Sequence, residues 1–105
     1  MFRKTTKKRF QDCGRSPEAA QYLASELERL MQLPLTNPVE VKGWYDECHR
    51  VQDTLKKQFP TFEPYHEVWH FWTDAEIRSR DAGYRDYQHR LMSEYVHHLR
   101  NTKTA

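Results

Sequence analysis

Cysteine and glycine are scarce in this sequence, which has two Cys and three Gly among 105 residues. Two thiols do not make the disulfide framework that stabilises many small secreted domains. No apolar run approaches the roughly 18–20 residues of a membrane span, and the basic N-terminus lacks the apolar stretch of a signal peptide. We therefore expect a cytoplasmic protein with reduced thiols and no contact with a membrane.

Strand-forming aliphatic residues are also scarce, because the chain has only five Val and one Ile. It contains no Asn-Gly or Asp-Gly dipeptide, the usual signal for a tight hairpin. Aromatic residues are plentiful instead, with three Trp, six Tyr and five Phe. Each buried ring removes on the order of 150–250 Å² from water. The composition predicts a small all-α domain whose core is built from rings, Leu and Met.

Two helices are predicted from their boundary residues. Ser16 and Pro17 provide an N-cap and a first-turn proline, and the following helix should end near Leu33. Asn37 repeats the cap, with Glu40 placed to complete a capping box. The second helix should run to about Phe59. The residues expected to face the core in these two helices are Ala20, Leu23, Leu27, Leu30 and Met31, then Val41, Trp44, Cys48, Val51 and Leu55.

In the C-terminal half, the sequence predicts short helical segments followed by one longer helix. Residues 65–72 fit a helical face and, in part, strand alternation. Thr73–Glu76 has the pattern of a capping box that starts either a new turn or a bent continuation of the helix through Arg80. A last helix from about Asp81 should bury Tyr84, Tyr87, Leu91, Tyr95 and Leu99. We predict a three- to four-helix bundle over residues 16–101, frayed residues 102–105, and self-association to a homodimer as an alternative left open.

The charge is uneven along the chain. Residues 1–15 carry six basic side chains and one acidic side chain, a net charge of +5, while the remaining residues carry −3, giving +2 overall. Five basic residues lie within positions 3–9: Arg3, Lys4, Lys7, Lys8 and Arg9. A flexible arm of this kind can neutralise phosphates without reading a sequence, so we expect it either to contact a polyanion such as a nucleic acid or only to aid solubility.

The sharpest local motif is His66-Glu67-Val68-Trp69-His70. Histidines four residues apart lie on the same face of a helix and can share one zinc ion. The pentapeptide resembles the HExxH signature of the zincin metalloproteases, and the resemblance covers these five residues only. It implies His66 and His70 as ligands of zinc as cofactor, and Glu67 as the general base. Candidates for the third ligand are Asp74, Glu76 and His89.

The chain also departs from the zincin pattern. Pro64 stands where the zincin helix normally continues, and no glycine-spaced third histidine follows. Zincins hold the peptide substrate along the edge of a sheet, whereas this sequence predicts no sheet. We therefore favour a non-enzymatic helical protein without a cofactor and keep a metal-binding or zinc-dependent hydrolase-like domain as the alternative.

Residues 62–80 combine aromatic and alternating charged side chains. Arg and Trp are the residue types that most often anchor protein interfaces. We therefore expect a protein-binding surface formed by Trp69, Trp72, Arg78 and Arg80, with Trp72 exposed together with at least one of the two arginines. By contrast, Cys48 falls on an apolar helical stripe and is expected in the core, and no role is assigned to Cys13.

Overall fold

A computed structural model of the chain describes residues 16–101. These residues are all-helical and contain no strand. Helix α1 spans Pro17–Gln32, α2 spans Pro38–Gln58, α3 spans His66–Thr73, α4 spans Ala75–Arg80 and α5 spans Ala82–Arg100. The all-α prediction is confirmed, and the described residues form five helices because the segment after Tyr65 divides at Asp74. The basic arm and the C-terminal residues 102–105 lie outside the described residues.

The first two helices begin and end where their boundary residues predict. The Ser16 side chain accepts a hydrogen bond from the backbone N–H of Ala19 at 3.2 Å, and Asn37 Oδ1 accepts one from Glu40 N–H at 2.9 Å. In a capping box the Glu40 carboxylate would accept from the backbone N–H of Asn37, but here it bonds to the preceding residue. It accepts from the backbone N–H and the hydroxyl of Thr36, at 2.8 and 2.6 Å. These bonds lower the pKa of Glu40.

The core contains buried residues from all five helices. The most extensive packing is between α1 and α5, and Trp44 of α2 donates its indole N–H to the carbonyl of Leu30 at 2.9 Å. Cys48 is 1% exposed, as predicted. Burial raises the pKa of its thiol to about 12, so at neutral pH Cys48 is a small apolar side chain of the core.

The inward face of α5 differs from the prediction over its first two turns. Leu91, Tyr95 and Leu99 are buried as expected, but Tyr87 is 45% exposed and Gln88 is 3% exposed. Gln88 faces inward because its Oε1 accepts a hydrogen bond from the buried guanidinium of Arg78 at 2.6 Å. None of the helices within residues 16–101 is both long and apolar enough to span a membrane.

Candidate metal centre

Helix α3 has one buried and one exposed face. Val68, Phe71 and Trp72 are each no more than 1% exposed, and the Phe71 ring meets Trp44 edge-on at 5.2 Å between centroids. The opposite side carries four exposed side chains at the three- and four-residue steps of one helical face. We call it the α3 face: His66, Trp69, His70 and Thr73.

Both ends of α3 are fixed to longer helices. Before its first turn, the backbone N–H of Tyr65 donates to the Tyr95 hydroxyl of α5 at 3.0 Å. After its last turn, the Tyr45 hydroxyl of α2 donates to the carbonyl of Thr73 at 3.1 Å and accepts from the N–H of Glu76 at 3.3 Å. These bonds hold the short helix in one orientation, with its histidines toward solvent.

The Tyr45 hydroxyl also explains why the predicted capping box at Thr73–Glu76 is wrong. A capping box needs the Thr73 hydroxyl to accept from Glu76 N–H, but Tyr45 accepts that bond. Thr73 is instead the last residue of α3, and its hydroxyl donates to the carbonyl of Trp69 at 3.1 Å. Helix α4 therefore begins at Ala75 without a side-chain cap.

The two predicted histidine ligands converge. His66 Nε2 and His70 Nε2 are 3.3 Å apart, close enough for one neutral imidazole to donate to the other. Two ligands that each lie about 2.0–2.1 Å from a tetrahedral zinc ion are themselves about 3.3–3.4 Å apart. The observed separation thus equals the spacing that zinc imposes on two nitrogen ligands.

Glu67 completes a group of three potential metal ligands. Its carboxylate oxygen and the ring nitrogens of His66 and His70 all lie within 4.8 Å of one another. Glu67 is half-buried and the two histidines are exposed. The carboxylate places a negative charge beside the histidine pair, which favours a cation there.

The predicted third ligands do not join this group. Within residues 16–101, His66, Glu67 and His70 are the only such cluster. Asp74 Oδ2 accepts hydrogen bonds from the Tyr84 hydroxyl at 2.5 Å and from Gln88 Nε2 at 3.4 Å. The ring of His89 packs against Phe71, and burial, then the charge of Arg78, lower its pKa.

The expected protein-binding surface is wrong in two of its four residues. Trp72 and Arg78 are each 1% exposed, whereas Trp69 is 47% exposed and Arg80 is exposed. Trp72 therefore shares no exposed surface with either arginine. Its face of α3 is the one that packs against the core, and Arg78 continues that buried stripe through Phe71 and Ala75 at three- and four-residue steps. This spacing was a signal in the sequence for a buried Arg78.

Arg78 is enclosed between two rings. Its guanidinium carbon is 4.5 Å from the centroid of Trp44 and 4.2 Å from that of Phe71, an arrangement that favours a cation. Nη1 donates to the carbonyl of Phe71 at 2.7 Å and to Gln88, while Nε and Nη2 have no hydrogen-bond partner among the described residues. Burial lowers the pKa of Arg78 to about 10.

An open groove of about 620 Å³ lies elsewhere on the surface, between the α1–α2 loop, α2 and α4. Leu35, Val41 and Tyr45 line its apolar part, and Lys42 and Arg80 contribute charge. Arg80 also donates from Nε to the carbonyl of Glu76 at 3.4 Å. The residues that line this groove include none of the α3 face.

The α3 face differs from a zincin site in its surroundings. His66 lies in the first turn of α3, directly after Tyr65, rather than inside a longer helix, and the described part of the chain has no sheet edge beside it. No protein-family model, curated protein or solved structure matches the chain, and its function is therefore inferred from the geometry of the α3 face.

Proposed function

We propose that this protein is a non-enzymatic helical domain that binds a zinc ion on the α3 face. His66 and His70 supply the two ligand nitrogens, and Glu67 supplies the neighbouring negative charge. The observation that carries the proposal is the 3.3 Å separation of the two Nε2 atoms, which matches the spacing of two ligands on one tetrahedral zinc ion.

Three further features support binding from solution. Both imidazoles are exposed, so an ion can reach them without opening the core. The only hydrogen bond found for either ring nitrogen within residues 16–101 is the one between them, and a metal ion would replace it. The helix that carries them is held at both ends by Tyr45 and Tyr95, which lowers the cost of ordering the site on binding.

The test is calorimetric titration of zinc into the full chain, prepared without a histidine tag. We expect His66→Ala and His70→Ala each to weaken binding by more than about tenfold, since loss of a ligand should exceed the effect of losing an outer-shell partner. Glu67→Gln should weaken it by less, because the two nitrogens remain.

Two controls separate the α3 face from other zinc ligands in the chain. His49 is an exposed histidine of α2, so His49→Ala should leave the affinity unchanged. Cys13→Ser removes the thiol that lies outside the described residues and should also leave it unchanged. Equal zinc affinity in His70→Ala and the unmodified protein would disprove the proposal.

A further inference from the structure

We infer that a second copy of this chain completes the zinc coordination, so that two α3 faces related by a two-fold axis share one ion. This inference rests on the zinc binding proposed above and names its partner. The α3 face of the second copy is the same surface, so the contact is isologous, the commonest arrangement in homodimers.

One copy of the chain leaves the zinc coordination incomplete. Structural zinc sites have four protein ligands, but one copy offers only the two imidazoles of the α3 face and the neighbouring Glu67 carboxylate. No other Cys, His, Asp or Glu joins them in the range 16–101. Both histidines are exposed, so the outward side of the ion would face solvent. A two-fold axis through the ion adds a second histidine pair and gives four nitrogens.

An exposed indole lies on the same helical face as the histidines. Trp69 is 47% exposed, whereas the other two tryptophans, Trp44 and Trp72, are 2% and 1% exposed. Trp69 packs edge-on against Trp72, with 4.9 Å between their centroids, so its ring is supported from behind. A second copy seated over His66 and His70 would cover this apolar surface, a favourable change in proportion to the area removed from water.

The charge of the bound ion also favours two copies. A zinc ion held by neutral imidazoles keeps its two positive charges, and one Glu67 carboxylate offsets only one of them. Two copies bring two Glu67 carboxylates, each near its own histidine pair. The paired site is therefore electrically balanced, which reduces the cost of removing the ion from bulk water.

The experiment is sedimentation velocity of the full chain during a zinc titration, combined with the calorimetric stoichiometry. We expect a monomer without metal, a maximal fraction of dimer at one zinc per two chains, and a return to monomer when a chelator is added. A large excess of zinc should also reduce the dimer, because each chain then binds its own ion. This decline distinguishes a bridging ion from one that only stabilises the fold.

These measurements distinguish a failure of the shared-ion inference from a failure of the proposed zinc binding. One zinc bound per monomer, with no dimer at any ratio, would overturn the inference and leave the proposed function intact. No zinc binding would overturn both. A dimer that forms equally well with a chelator present would overturn the bridging role.

Variants test the interface itself. Trp69→Ser changes a half-exposed side chain, so the monomer should remain folded, and we expect dimer formation with zinc to weaken by about tenfold or more, in line with the loss of an aromatic interface anchor. His49→Ala serves as the matched control and should dimerise like the unmodified protein. An unchanged dimer in folded Trp69→Ser would show that the α3 face is not the interface.

Discussion

Two polar clusters lie on consecutive short helices, Arg78 on α4 and the pair His66 and His70 on α3, and they differ in access to solvent. Arg78 is 1% exposed, and its guanidinium lies between the rings of Trp44 and Phe71 and donates to two oxygen acceptors. His66 and His70 are exposed and contact mainly each other. Arg78, enclosed beside aromatic rings, has a structural role, whereas the exposed rings of His66 and His70 leave their nitrogens accessible to a ligand.

The largest expected change in unfolding free energy is at Arg78 and the two rings that enclose it, which we call the closed cluster. Arg78→Ala should reduce the free energy of unfolding by about 3 kcal/mol or more, because it leaves a cavity between two rings and removes the donor to buried oxygens. Urea denaturation followed by circular dichroism measures this. Arg78→Met, which keeps the stem, should cost only about 1–2 kcal/mol and should leave zinc affinity unchanged. If Arg78→Ala unfolded at the same urea concentration as the unmodified protein, this would contradict the enclosed position of Arg78.

The next largest loss of unfolding free energy is expected at Cys48, which is buried in the same core. Cys48→Ser should destabilise the protein by about 2 kcal/mol, since it buries a hydroxyl that has stronger hydrogen-bonding needs than a thiol. Urea denaturation in a Cys13→Ser background measures the change. Cys48→Ala is the matched control and should cost less than Cys48→Ser if polarity, rather than lost volume, dominates.

Cys48 should also make stability depend on pH in the alkaline range. Its native pKa of about 12 lies above the ordinary value of 9.0, so the unfolded chain loses the thiol proton first. The stability that Cys48 contributes is complete below pH 9.0 and falls as the pH rises toward 12. The difference in unfolding free energy between the Cys13→Ser protein and the double variant with Cys48→Ala should therefore shrink as the pH rises. A constant difference would mean that the native thiol is not shielded.

A smaller loss of unfolding free energy is expected at the N-terminal cap of α2. Asn37→Ala removes the side chain that accepts from Glu40 N–H and should cost about 1 kcal/mol. Asn37→Asp keeps an acceptor there and should retain most of the stability. Thermal unfolding of the three proteins tests this, and equal loss in both variants would show that the cap bond is unimportant.

The smallest change in the unfolding free energy of the metal-free protein is expected at the exposed pair His66 and His70, which we call the open cluster. His70→Ala changes an exposed side chain and should alter the unfolding free energy by no more than about 0.5 kcal/mol. Added zinc should raise the stability of the unmodified protein by mass action but not that of His70→Ala. If His70→Ala instead destabilised the metal-free protein as much as Arg78→Ala, the histidine pair would be structural and the contrast between the clusters would disappear.

The parts of the fold that were predictable from sequence depend on local interactions. Ser16 and Asn37 cap their helices with bonds to residues three positions away, and such bonds leave a recognisable sequence pattern. The position of His66 and His70 on one face also follows from helical spacing alone. Their exposure does not, because it depends on which face of α3 the long helices cover.

The predictions from sequence are wrong where a residue distant in the chain takes the place of a local hydrogen-bond partner. Thr73 does not cap α4 because the hydroxyl of Tyr45, 31 residues before Glu76 in the chain, accepts the bond from Glu76 N–H. Gln88 is buried in place of Tyr87 because Arg78, ten residues earlier, donates to it. Periodicity within one helix cannot show such pairings, which depend on the packing of α2, α4 and α5.

The unequal burial of the three tryptophans gives the molecule an intrinsic optical probe. Only Trp69 is accessible enough to be quenched by a small solute such as acrylamide, and it lies on the same helical face as both histidines. Its emission therefore reports on the histidine pair with no attached dye, while Trp44 and Trp72 provide a shielded background signal. Protection of this one fluorophore on adding zinc would follow the burial of the α3 face as it happens.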